Sequence, residues 1–354
     1  MDVRAITYFC TKFNRLFVKP AHLKFFLVIL AVVFFSGSSI SQAITPLDKK
    51  ILQRKEDSLK AYAKYMVTDS FTHSRMIADS FFTRILVRAL KTKNSFYYPF
   101  TSLLGISKLY APDSSFRIFT WNVQLETEQL YSLQKGAIQM ATKDGSLKLF
   151  PLRDVSDFID NAEDSVRFNN NWVGAVYYNI IKTQSNGKNY YTLFGLDNNS
   201  FMSTKKWVEV LTFNEKNEPV FGGPFFSYAK DSIPQGSKYR LSLEYKKDAR
   251  VLMNYIPDLG VILLDHLISE SDEPDNKWSY VPDGDNEAFK WENGKWVHID
   301  KAFDYKVDMT GADPYTGRPP VGDPLLDAKG NRNEKKLEDK SNKNKTKEKP
   351  PGDD

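Results

Sequence analysis

Asp265 and His266 close an apolar run, VILLDHL, that spans Val261–Leu267. An Asp–His pair at a strand end has the chemistry of general acid–base work, which makes these two the candidate catalytic residues. Neighbours on a strand face opposite ways, so a direct dyad between them requires a bend. Asp283, Asp285 and Glu287 alternate within Pro282–Glu287. Hard oxygen ligands in that pattern would suit calcium, and they are the candidate metal residues. The EF-hand loop pattern is not met, because the glycine is misplaced and the distant bidentate Glu is missing. The simpler expectation is a solvated acidic turn that needs no cofactor. Trp172, Trp207, Trp278, Trp291 and Trp296 are the candidate ligand-binding residues. Their rings can stack on sugar C–H surfaces, and carboxylate pairs nearby could serve glycoside hydrolysis. Trp291 and Trp296 are equally well explained as a cross-strand pair that pins a hairpin.

Other chemistries lack their residues. His73, His266 and His298 are the histidines beyond the N-terminal segment, and none sits in an HExxH or paired metal spacing. His73 follows Asp69 by four residues, a local pairing on a helix. There is no GxSxG, no phosphate-binding P-loop and no Rossmann glycine pattern. Ser203-Thr-Lys-Lys206 spells SxxK but precedes a strand, whereas that chemistry places its serine at a helix start. Cys10, the single cysteine, lies in the N-terminal segment, so the rest of the chain has neither disulfide nor thiolate chemistry.

The formal charge of +5 is concentrated at the two ends. Residues 1–43 carry a net +4 and residues 329–354 a net +3, which leaves −2 for the body. A nucleic-acid footprint needs clustered positive charge, and the body has none to offer.

Arg4, Lys12, Arg15, Lys19 and Lys24 precede an eleven-residue apolar run, Phe25 to Phe35, and a small-x-small ending at Ser41-Gln-Ala43. That order predicts a secretory signal peptide over residues 1–43. The alternative, an uncleaved anchor, needs about 20 apolar residues to cross a bilayer. No cysteine follows the run to take a lipid anchor. Residues 44–94 predict one or two helices with a break near Thr68-Asp-Ser. Ile51, Leu52, Leu59, Tyr62, Ala63 and Met66, then Met76, Ile77, Phe81, Ile85 and Leu86, form the apolar stripe. Lys55, Glu56, Asp57, Lys60, Lys64, Asp79, Arg84, Arg88 and Lys91 form the polar one.

Residues 95–309 predict an antiparallel β-rich domain. At 14%, aromatics are abundant enough for broad packed strands. Its centre runs from Trp172 to Gly223. Asn186-Gly187 predicts a type I′ turn that sets Ser185 against Lys188, Thr183 against Tyr190, Ile181 against Thr192 and Ile180 against Leu193. Both faces of this hairpin carry apolar groups, so burial on both sides is expected. A strand from Lys206 follows, then a polar turn and Pro219–Phe221. Phe116–Leu125 alternates, and Gly136–Met140 pairs with Leu147–Leu152. Val155–Phe168, with Asp154, Asp157, Asp160, Glu163 and Asp164, reads as a short helix. Tyr239–Tyr245 and Arg250–Tyr255 read as a hairpin around Lys246-Lys-Asp-Ala. Asn293-Gly294 predicts a second I′ turn with Trp291 opposite Trp296. Residues 310–328 read as a Gly/Pro-rich linker and 329–354 as a disordered Lys-rich tail. No fixed repeat period is present.

The stretches FYYPFTSLL (96–104), DSSFRIFTW (113–121), WVGAVYY (172–178), KWVEVLTF (206–213) and VILLDHL (261–267) resemble an uncharacterised family of exported proteins from Bacteroidetes-type bacteria. The resemblance covers Leu47 to Ile299 and implies a bacterial envelope or secreted setting, with no activity and no catalytic residue to carry over. The expected fold is α+β, a helical segment packed on a large antiparallel β domain of sandwich, irregular-barrel or propeller-like form. The expected role is a non-catalytic, envelope-associated binding or structural protein, periplasmic or extracellular, with an envelope protein or glycan as partner and no nucleic acid. No stable transmembrane segment is expected after leader removal. The competing expectation is a secreted carbohydrate-binding or carbohydrate-hydrolysing protein.

Overall fold

The computed structural model describes residues 43–125, 132–159, 161–233, 235–271 and 273–299. The expected leader up to residue 42, the expected linker and tail, and the last stretch of the expected β domain, 300–309, lie outside these. The fold is α+β, as expected.

Helix α1 (Pro46–Thr68) begins where Thr45 caps it, its hydroxyl accepting the Asp48 N–H at 3.1 Å, with proline at the first position. It ends at Asp69, whose carboxylate accepts the Phe71 N–H at 2.9 Å. Helix α2 (Thr72–Leu90) starts directly after, so the break falls where it was expected. Leu52, Leu59, Ala63 and Met66 of α1 and Ala78, Phe82 and Leu86 of α2 are buried. The assignment of faces needs correction at four positions. Glu56 and Asp79 are buried, while Ile77 and Phe81 are more than two-fifths exposed. Both carboxylates are inside because each meets donors there. Glu56 accepts the Tyr98 hydroxyl at 2.5 Å and the Ser102 N–H at 2.6 Å, and Asp79 accepts the Trp121 indole N–H at 2.8 Å.

Three sheets follow. The inner sheet is β1 (Ser107–Tyr110), β2 (Phe116–Gln124), β3 (Ser132–Met140) and β4 (Lys148–Arg153), paired in chain order. The middle sheet takes β5 (Arg167–Phe168), β6 (Val176–Ser185), β7 (Lys188–Asp197), β8 (Ser203–Phe213) and β9 (Pro219–Phe221), in the order β5-β9-β8-β7-β6. The chain then places β10 (Phe226–Ser227) in the outer sheet and returns with β11 (Arg240–Lys246) to pair with β8. The outer sheet is completed by β12 (Met253–Ile256), β13 (Val261–Ser269), β14 (Tyr280–Glu292) and β15 (Lys295–Ile299), in the order β10-β15-β14-β13-β12. All strand pairs are antiparallel except β10 with β15.

The layers stack in series. Phe119, Trp121 and Val123 of β2 pack on the helices. Phe116 and Ile118 turn the other way and meet Tyr191, Leu193, Trp207 and Leu211 of the middle sheet. Phe194, Val208 and Val210 of that sheet face outward onto Met253, Ile262, Leu264, Phe289 and Trp296. The middle sheet is therefore buried on both faces, which is why its central hairpin is apolar on both. This layered arrangement is a stack of open sheets, in place of the barrel or propeller alternatives.

Both Asn-Gly turns stand where the sequence placed them. Asn186 and Asn293 have φ of 49° and 48°, their glycines 72° and 85°, and the flanking registers are those expected. Three other expectations fail. β11 and β12 do not pair with each other but belong to different sheets, because Leu241 and Met253 bury into the same inter-sheet core from opposite sides. Phe116–Trp121 sends its side chains alternately to two sides but leaves neither exposed, being buried at six consecutive positions between helices and middle sheet. Val155–Phe168 is not an α-helix but two 3-10 turns, Ser156–Phe158 and Ala162–Asp164, followed by β5. Asp154 accounts for this: its carboxylate gathers the N–H groups of Ser156, Gly174 and Gln134 at 2.9, 3.1 and 3.2 Å and competes with helix formation.

Candidate functional site

β8 is the strand whose far side is shared. β7 pairs along one edge, while β11 and β9 divide the other between them. β11 is thus the edge strand of the middle sheet at this end. A cleft of about 640 Å³ opens beside it, between the 3-10 turns after β4 and the bulged part of the outer sheet. That volume falls within the range of about 300–1,000 Å³ typical of small-ligand sites. Asp157, Asn161 and Glu163 form one wall, Trp207, Ser242 and Glu244 the floor, and Asp265, His266, Tyr280 and Glu287 the other wall.

The structure separates Asp265 from His266 chemically. Asp265 accepts the Leu252 N–H at 2.6 Å and the Asn286 amide at 2.8 Å. Burial nonetheless lifts its carboxyl above the ordinary value. His266 sits in a β-bulge, and its Nδ1 lies 2.8 Å from Asp283 Oδ2. The bend required for a direct dyad is present, and it joins the histidine to a different carboxylate.

The 282–287 stretch is not a free acidic turn. It is part of β14, with residues 283–285 bulged opposite His266 and Gly284 at φ +98°. Asp283 is held below its usual value against the effect of burial by the Asp285 N–H and by His266. Asp285 is exposed. Glu287 turns toward His298, with Oε2 3.3 Å from Nε2, and the imidazole beside it is the main cause of its lowered pKa. The candidate metal residues thus take separate partners. Among the described residues no three His, Cys, Asp or Glu side chains form a group suited to a metal ion.

Most of the candidate tryptophans are structural. Trp172 and Trp296 are fully buried, their indole N–H groups donating to the Tyr177 hydroxyl at 2.7 Å and the Thr192 hydroxyl at 3.0 Å. Trp291 packs on Tyr190 and Trp296 with ring centres 5.3 and 5.2 Å apart, the cross-strand pair foreseen. Trp278 is 42% exposed on the 3-10 turn Lys277–Ser279. Trp207 alone of the five lines the cleft. It is 8% exposed, and its indole N–H has no acceptor among the described residues.

Ser203 and Lys206 serve the scaffold. The Ser203 hydroxyl donates to Glu244 at 2.6 Å, and the Lys206 ammonium to the Val251 carbonyl. His73 is exposed on α2. Asp197, Glu244, Lys205 and the 156–164 wall were not singled out from sequence as site residues. The acid-rich 154–164 stretch was the available signal. Among the described residues no helix is long and apolar enough to cross a membrane. No family model, no curated protein and no solved structure matches the chain.

Proposed function

We propose that the chain is an exported, non-catalytic binding protein of a bacterial envelope, with the cleft beside β11 as its ligand site. The observation that carries this reading is the cleft itself, a polar recess of about 640 Å³ on a three-sheet scaffold. The basic, apolar and small-residue order of residues 1–43 supports export. Against catalysis stands the partnering of the two candidates: Asp265 takes the Leu252 N–H and the Asn286 amide, His266 is held at Nδ1 by Asp283, and among the described residues neither bonds a hydroxyl that could act as nucleophile. One observation favours a carbohydrate-hydrolysing role instead: Asp265, His266 and Glu287 share one cleft.

Expression of the full chain in a two-membrane bacterium, followed by fractionation and N-terminal sequencing, tests the reading. Recovery outside the cytoplasm with Ile44 first is expected, and a cytoplasmic chain that retains residues 1–43 overturns export. Release of chromophore from aryl glycosides, abolished by Glu287→Gln, overturns the non-catalytic assignment.

A further inference from the structure

The cleft's carboxylates are largely satisfied from within the protein. Glu163 meets Lys238 at 2.9 Å, Glu244 meets Lys205 at 3.3 Å and Glu287 meets His298 at 3.3 Å. Asp197 takes the Gln134 amide at 2.8 Å, and Asp265 takes the Asn286 amide at 2.8 Å. The lining also carries Asp157 and Asp164, with Lys205 and Lys277 as its ammonium groups, so the cleft stays acidic and disfavours an anionic ligand. It still presents carboxylate oxygens with spare lone pairs, which accept further hydrogen bonds. Trp207, a lining residue, adds the opposite need, which an ammonium group could not meet: its buried indole N–H has no acceptor among the described residues. A buried donor left without a partner is costly, and a ligand acceptor removes that cost.

We propose that the cleft takes an uncharged polyhydroxylated ligand, a saccharide, whose hydroxyls donate to the wall carboxylates and accept from Trp207. A hydroxyl is the uncharged group that does both at one atom. The inference rests on the binding reading above and specifies its ligand class. It reassigns the recognition of sugar from ring stacking, for which Trp172 and Trp296 are too deeply buried, to hydrogen bonding inside the cleft.

Calorimetric titration of the full chain with cellohexaose, xylohexaose, mannohexaose and chitohexaose tests it, with spermidine and polygalacturonate as charged comparators. Binding of at least one neutral hexasaccharide is expected. Trp207→Phe keeps a ring and removes the N–H, and should weaken that binding about tenfold. Because Trp207 is packed in the core, Asn161→Ala on the exposed wall provides a second variant, also expected to weaken binding with an unchanged melting temperature. Spermidine binding that Asn161→Ala weakens, without saccharide binding, overturns the ligand class and leaves the cleft as a binding site. Saccharide binding that neither variant alters overturns the assignment to this cleft. No binding of any probe overturns both.

Discussion

The Arg240 Nε–H donates to Glu209 at 2.7 Å with both side chains almost wholly out of water. The remaining guanidinium hydrogens reach the carbonyls of Ala162, Ser165 and Phe221, and the other Glu209 oxygen accepts the Tyr177 hydroxyl at 2.5 Å. This network ties β11 and β8 to the 3-10 turns that form one wall of the cleft. Removing one partner strands a charge in the interior. Glu209→Ala is therefore expected to cost about 3–5 kcal/mol in urea denaturation, and the double change Glu209→Leu with Arg240→Met much less. Equal losses in the single and double variants would show that burial of the unpaired charge is not the cause.

Arg117 is fully buried and has no carboxylate partner among the described residues. Its hydrogens go to Gln139 Oε1 at 2.8 Å, the carbonyls of Tyr98 and Ser95 at 2.6 and 2.8 Å, and the Tyr110 hydroxyl at 2.7 Å. Phe119 lies 4.6 Å from the guanidinium carbon. Burial pushes the pKa of Arg117 down to about 10. Lysine has three hydrogens on one atom and cannot span four acceptors, so Arg117→Lys should cost about 1–3 kcal/mol for each one orphaned. A melting temperature unchanged by that substitution would contradict the assignment.

Gly195 of β7 faces Ala175 so closely that an added Cβ would lie 2.6 Å from the Ala175 Cβ and 3.2 Å from the Tyr177 ring. Gly195→Ala is expected to cost about 1–3 kcal/mol by overpacking. Restoration by Ala175→Gly in the same chain would identify that contact as the cause, and failure to restore would exclude it.

Two groups beside the cleft make stability fall as pH rises. Burial lifts the Asp197 carboxyl to about 6, outweighing the Asn199 N–H and Gln134 amide that favour its charged form. The folded chain keeps a proton that the unfolded chain releases near pH 3.9, so this contribution is full below about pH 4 and lost through about 6. Burial lowers the His298 imidazole, but Glu287 and Asp231 outweigh it and the net shift is upward. Its contribution is full below about pH 6.5 and lost as pH rises through the higher folded value. In urea titrations across pH, Asp197→Asn should flatten the lower decline and His298→Asn the upper. An unaltered profile in either variant would contradict that group's role.

The local signals were legible because they are local. Asn186-Gly187 and Asn293-Gly294 demand positive φ whatever surrounds them, and they fixed both registers. Asp69 broke the helices for the same reason, its carboxylate turning back onto the Phe71 N–H two residues on. The partner of β11 was not legible, because β8 lies more than thirty residues away and nothing between 246 and 250 reveals a crossing between sheets. Glu56 and Asp79 misled because a charged residue in a helical stripe reads as solvated until its buried donors are known. In the site, Asp265, His266 and Glu287 were found as residue types at a strand end and an alternating run. Their separate partners, and the arrival of Trp207 and the 156–164 wall beside them, depend on three sheets stacking.

Hydrogen–deuterium exchange of the full chain with and without the neutral hexasaccharides tests the cleft most directly. Added protection in peptides covering residues 156–164 and 242–244 is expected, since these amides line its wall and floor. Protection confined to α1 and α2, or to the inner sheet, would contradict the cleft as the place where this protein meets its ligand.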